Sequence, residues 1–190
     1  MEIVVKGNKP IVKQKKENEL TNKIEYDSQP ITVELEWFEV SVAIHLSGLR
    51  NTESLRRGYN DKAKYKGRDL HDNLYGTLGE IAFAKATNCY FPMTVNTFKE
   101  ADVGSHWQIR TVGSNRNKDL IIRPEDNDEH YYVLVEVVKN KSVYDCTIHG
   151  WITGKDGKDN KYLSDFGHPE RPKAFRIPKN RLQPTYQMPI

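Results

Sequence analysis

Four side chains stand at spacings that could bring them to one place. Glu80 follows Gly79 inside the run Asn73 to Thr87 (NLYGTLGEIAFAKAT); Asp102 comes later in Ala101-Asp102-Val103-Gly104, and Gln108-Ile109-Arg110 soon after it. On a strand, Gln108 and Arg110 share a face because the side-chain period is two. If Leu78, Ile81 and Ala82 turn to the core, Glu80 lies at the edge of the buried face. A helix carboxylate, an aspartate entering a strand and two polar groups on one strand face can then converge. Phosphate chemistry is suggested separately by Arg50 to Arg68 (RNTESLRRGYNDKAKYKGR). Seven Lys or Arg, among them Arg56, Arg57, Lys62, Lys64 and Lys66, stand there against one Glu and one Asp, with Tyr59 and Tyr65 interleaved. Cations neutralise phosphates and aromatic rings stack on bases; a solvated basic loop is the alternative. His168 to Arg181 (HPERPKAFRIPKNR) is a second basic stretch, with five Lys or Arg, Lys173 and Arg176 included, against one Glu. Glu125 to Glu129 is an acidic turn expected to point away from any nucleic acid.

The elements that must position these groups follow from periodicity. Asn73 to Thr87 predicts a helix with Asn73 as its cap and Leu74, Leu78, Ile81, Ala82 and Lys85 along one side. Gly76 and Gly79 each cost a helix about 1 kcal/mol relative to Ala, so they point to close approach of a backbone or a ligand. From Thr32 two patterns compete. Ile31, Val33, Leu35 and Trp37 alternate like a strand, while Leu35, Phe38, Val42, Leu46 and Leu49 form a helical stripe. The sixteen residues Thr32 to Ser47 lack Gly and Pro, which favours a helix capped at Thr32 with Glu34 and Glu36 in its first turn. A short second helix is expected over Thr52 to Arg57, closed by Gly58. After Asn88 the runs WQIRTV, DLIIRP, YYVLVEVV, VYDCTIHGWITG and AFRIP read as strands. Helices first and strands later predict an α+β domain, its helices packed on a mixed, mostly antiparallel sheet.

The chain has 190 residues, 37% of them hydrophobic and 10% aromatic, which suits one domain with a modest core. Residues 1–30, with six Lys against four Glu and one Asp, read as a polar, flexible arm, and 31–190 as the single domain. There is no apolar run of membrane-spanning length and no leader pattern, so no membrane association and a cytoplasmic location are expected. The net charge of +3 is too small to identify a nucleic-acid binder by itself. Two cysteines, Cys89 and Cys146, without CxxC spacing predict free thiols and no thiolate zinc site.

Leu74 to Pro124, with its GxxGE helix, the VNTFKxxDVG segment, a QxR strand and an LIxRP strand, resembles a group of small bacteriophage proteins related to the PD-(D/E)XK nuclease superfamily. The likeness continues through Ile148 to Ile152 and Arg171 to Pro178. It implies a restriction-endonuclease-like core and a DNA nuclease that uses Mg²⁺ or Mn²⁺, since hard oxygen ligands suit those ions. Carried over residue by residue, Glu80 is the helix carboxylate and Asp102 the central metal ligand. Gln108 replaces the second strand carboxylate as a neutral ligand, and Arg110 replaces the lysine. The last two depart from the superfamily pattern. Gln brings no charge to a metal, and Arg does not deprotonate near neutral pH, though it can clamp a phosphate. Two alternatives therefore stand beside a nuclease: a nucleic-acid-binding protein on a degenerate nuclease scaffold, and a phage protein that occupies a host nuclease or polymerase.

The remaining candidates weigh as follows. His149 could serve as phosphate ligand or proton carrier, or be a structural strand histidine. His106 could flank the metal or lie exposed in a turn, with the turn expected, and Trp107 and Trp151 are expected in the core, with base stacking as the alternative. Lys118 and Arg123 could line a basic groove or be ordinary solvated charges.

Overall fold

The computed structural model describes residues 30–58, 69–95, 100–114, 118–170 and 172–190. The arm, apart from Pro30, and Lys62, Lys64 and Lys66 lie outside the described residues.

The ambiguous stretch after Pro30 divides into both of its candidate elements. Strand β1 covers Ile31–Leu35 and helix α1 covers Trp37–Arg56. The helix is therefore capped at Glu36, not at Thr32. Glu36 has extended backbone, with φ −76° and ψ 165°, and its N–H donates to the Glu39 carboxylate at 2.8 Å, which satisfies one orphan donor of the first turn. The β-branched residues before it pair instead with a neighbouring strand. α1 runs without a break through Gly48 and absorbs Thr52 to Arg56, so the separate helix expected over Thr52 to Arg57 is the end of α1; Gly58, at φ 66°, follows it. The buried stripe also differs from the expected one. Ala43, Leu46 and Ser47 face inward, whereas Phe38, Val42 and Leu49 lie on the outer side.

Helix α2 covers Asp69–Thr87 and starts earlier than Asn73. Buried from Thr77 to Glu80 and again from Ala82 to Ala84, it lies between α1 and a four-stranded sheet. Strands β2 (Trp107–Gly113), β3 (Leu120–Ile122), β4 (Tyr131–Asn140) and β5 (Val143–Thr153) precede the short helix α3 (Gly154–Gly157), β6 (Leu163–Ser164) and β7 (Ala174–Ile177). The main sheet has the order β1-β5-β4-β2, and β3-β7-β6 form a second sheet. β1 and β4 run antiparallel to β5, and β2 lies parallel to β4, pairing Gln108 with Tyr132 and Arg110 with Leu134. The molecule is thus α+β, with helices on a mixed sheet.

Two apolar layers follow from strand alternation. Trp107, Ile109, Val133 and Val135 pack with Leu78, Ala82 and Phe83 of α2. Tyr132, Leu134 and the partly buried Val112 pack with Leu120, Phe175 and Ile177 of the second sheet. Trp107 and Trp151 are core residues, as expected. Among the described residues no helix is long and apolar enough to cross a membrane.

Candidate functional site

Glu80 is 7% exposed, on the side of α2 that meets α1. Its position depends on close packing. A Cβ on Gly79 would run into Thr111 Oγ1, so only glycine lets α2 lie this near β2. Gly76 has nothing within 4 Å of such an atom and borders a cleft of about 290 Å³ between His71, Tyr75, Arg110 and Thr111. On α1, Ala43, Ser47 and Arg50 follow one another at helical spacing, and the two small residues admit α2 closely. Arg50, one turn further on, forks onto Glu80 with Nη1–Oε1 at 2.9 Å and Nη2–Oε2 at 2.8 Å. It also donates to Thr77 Oγ1 and to the Thr94 carbonyl. Sequence reasoning placed Arg50 at the head of a basic loop; the helix register makes it a buried partner of the candidate carboxylate.

Asp102 lies at the edge of β2. Its N–H donates to the Trp107 carbonyl at 2.9 Å, and its Oδ2 accepts the Ile109 N–H at 2.8 Å. Glu80 and Asp102 feel one another's charge. Burial, opposed by the Arg50 hydrogen bonds and reinforced by Asp102, pushes Glu80 up to about 7. Burial likewise raises Asp102, against the Ile109 N–H and the Arg110 and Arg50 charges. Two desolvated carboxylates in mutual range form an unusual concentration of negative charge, of the kind that cations and protons compensate.

Gln108 and Arg110 do share a strand face, but it is the face turned from α2, since Ile109 and Thr111 meet Gly79. Gln108 Nε2 donates to the Glu100 carbonyl at 2.7 Å and lies 3.3 Å from His130 Nδ1. Arg110 lies over the Tyr132 ring, 5.2 Å from its centroid, pairs with Asp126 at 2.8 Å and donates to the Ile121 carbonyl. The acidic turn is therefore a structural clamp: Asp126 also accepts the Arg123 N–H, and Asp128 pairs with Lys158. His130 was missed. It is buried beside Gln108, burial lowers its pKa, and Asp102 is within range of its charge. The parallel pairing of β2 with β4, which brings it there, has no local signature in sequence.

The other candidates are dispersed. His149 is the extra residue of a bulge in β5, where the register passes from Leu134–Gly150 to Val135–Ile148. Its Nε2 lies 2.9 Å from Glu136, which Lys118 holds from the other side at 2.7 Å. Arg56 and Arg57 both bond Glu53. Arg176 pairs with Asp119 at 2.6 Å, and Lys173 is exposed just before β7. His106 is exposed in its turn, within reach of Ser105 Oγ. Cys89 and Cys146 are free, and burial pushes the Cys146 thiol up to about 12.

Among the described residues no three His, Cys, Asp or Glu side chains gather as a metal-ligand group. Glu80 and Asp102 nonetheless offer hard oxygens. Mg²⁺ is commonly held by one or two carboxylates, with water and substrate phosphates completing its shell. One Asp102 oxygen is engaged by Ile109 and both Glu80 oxygens by Arg50. The pair is not a three-carboxylate cage, and a cation there would have to share Glu80 with Arg50. The chain matches no family model, no curated protein and no solved structure.

Proposed function

We propose that this chain is a phage-encoded, divalent-metal-dependent deoxyribonuclease of the PD-(D/E)XK type, on a restriction-endonuclease-like core. The observation that carries the reading is the Glu80–Asp102 pair: a buried carboxylate from a helix and a partly buried one from a strand lead-in, within range of each other's charge and both raised in pKa. A helix laid on a mixed sheet is compatible with the core proposed.

Glu80 and Asp102 would hold Mg²⁺ or Mn²⁺, which supplies an acidified water and charge neutralisation at the scissile phosphate. Arg50 keeps Glu80 compensated and fixes its rotamer through a planar, bidentate contact. Arg110, held by Asp126 and still 28% exposed, stabilises negative charge on the phosphate. Gln108 anchors the Glu100 carbonyl and so aligns the segment that carries Asp102. His130, kept neutral by burial, is the group beside Asp102 able to accept a proton.

The Arg50–Glu80 ion pair favours a second reading, in which the scaffold binds DNA without cleaving it because a guanidinium already supplies the cation. Cleavage assays on single-stranded, duplex and branched DNA with Mg²⁺ or Mn²⁺, with and without chelator, separate the two. A nuclease loses about 10²- to 10³-fold activity or more in Glu80→Ala and in Asp102→Ala. Salt-sensitive binding, indifferent to chelator and with no cleavage of any substrate, leaves the second reading in place.

A further inference from the structure

The second sheet carries a cleft of about 410 Å³ lined by Lys161, Tyr162, Arg176, Pro178 and Arg181. Three of these five side chains are cations and none is acidic. The fold puts them there for separate reasons. Along β7, Phe175 and Ile177 turn into the core, so Arg176 turns outward, where Asp119 fixes its Nε. Pro178 opens a 3-10 turn over Lys179–Arg181 that brings Arg181 to the same rim. Lys161 sits in another 3-10 turn, Asn160–Tyr162, with its Nζ 4.9 Å from the centroid of the Tyr162 ring and 2.7 Å from Asp159. Lys161 and Arg181 lie within range of each other's charge, and Arg181 has no carboxylate partner among the described residues. Asp159 and Asp119 offset two of the three cations, so Arg181 is the charge in excess at the open cleft, and an anion there is stabilised by it.

The walls say which anion. A bare phosphate needs only the cations, but Tyr162, partly buried against the second core, and Pro178 add an apolar surface of the kind on which a base or sugar packs. The volume falls in the usual range for small-ligand sites, roughly 300 to 1,000 Å³. The cleft is also near Arg110. Arg176 pairs in register with Ile121, whose carbonyl accepts the Arg110 Nε–H, so a single strand, β3, separates the two.

We infer that this cleft holds one nucleotide of a DNA single strand, its phosphate among Lys161, Arg176 and Arg181 and its base or sugar against Tyr162 and Pro178. The inference rests on the DNA-directed reading above and adds to it a second point of attachment, on the sheet face away from α2.

The test compares three proteins: wild type, the double reversal Lys161→Glu/Arg181→Glu, and a control of equal net charge, Lys139→Glu/Lys155→Glu, at exposed positions elsewhere. Binding of a fluorescein-labelled oligo-dT is followed by anisotropy across a salt series. A titration with thymidine 5′-monophosphate, followed through the Tyr162 ring resonances, reports on the cleft alone. The cleft variant is expected to lose at least about tenfold in oligonucleotide affinity and to lower the salt slope by about two relative to the control. Equal binding by cleft variant and control overturns the cleft. Perturbation of Tyr162 by the nucleotide in wild type but not in the cleft variant, without oligonucleotide binding, keeps the cleft and removes the DNA reading. No response to either probe overturns both.

Discussion

Glu80 and Glu136 are the same residue type at the same exposure, 7%, yet their carboxyls shift in opposite directions. Glu80 is enclosed between two helices and a sheet, with Asp102 as a second acid nearby, and burial carries it up to about 7 despite the Arg50 fork. At Glu136, burial is outweighed by hydrogen bonds from Lys118 and His149, and the carboxyl falls below the usual range. Its lysine partner is 40% exposed and remains hydrated. Burial alone therefore does not mark a functional carboxylate. What sets the Glu80 region apart is first its deeper enclosure, which outweighs the Arg50 fork, and then the second acid Asp102, whereas at Glu136 two donors outweigh burial. A carboxyl desolvated to that degree favours the protonated form.

The largest effect on stability that would break this contrast is at Arg50. Arg50→Met leaves Glu80 desolvated without its partner and is expected to destabilise the fold by about 3–5 kcal/mol at pH 8. Adding Glu80→Gln should recover much of that loss, and denaturant unfolding of the single and double variants measures both. An equal loss in the double variant would mean that packing, not charge, dominates at Arg50.

Next in size is the pH dependence, for which the two regions have opposite signs. The folded pKa of Glu80, about 7, lies above its ordinary value of 4.5. Its contribution is fully present below 4.5 and is lost as pH rises through 7. His149 is lowered from 6.5, chiefly by burial. Its contribution is present above 6.5 and is lost as pH falls through the folded value. Tm measured from pH 4 to 8 should fall less on the alkaline side in Glu80→Gln than in wild type. His149→Asn should remove part of the acid-side loss. Parallel profiles for all three proteins would refute the contrast.

The smallest effects sharpen how Glu80 comes to be buried. Gly79→Ala forces α2 off Thr111 and should cost about 1–3 kcal/mol. Gly76→Ala, with open space around it, should stabilise by up to about 1 kcal/mol, through helix propensity and a less free unfolded chain. Thermal melts of the two variants should move in opposite directions.

Much of the scaffold was legible locally. β-Forming runs bounded by turn residues identified β2, β3, β4, β5 and β7, and the glycines of α2 flagged a close approach that Gly79 makes. The helix before them was harder, because Ile31–Leu35 carries both a strand pattern and the head of a helical stripe. Only the pairing of Ile31 with Ile148 and Leu35 with Tyr144 commits it to a strand. That choice moves the helix cap to Glu36 and with it the buried face, which is why Arg50 read as part of a basic loop. Glu136 did leave a signal, a lone acid in the apolar run YYVLVEVV, a pattern that asks for a charged or hydrogen-bonding partner.

By itself the sequence determined that an α+β fold would form and that charge would be sorted into basic and acidic segments, since periodicity and composition are properties of neighbouring residues. It also supplied the carboxylates Glu80 and Asp102. Tertiary structure decided what those charges do. It turned Gln108 and Arg110 to the strand face opposite α2 while leaving Arg110 within range of the Glu80 and Asp102 charges, tied Asp126 to Arg110 and joined Arg50 to Glu80. Each depends on strand order and helix register, contacts between residues far apart in the chain, for which no local pattern exists.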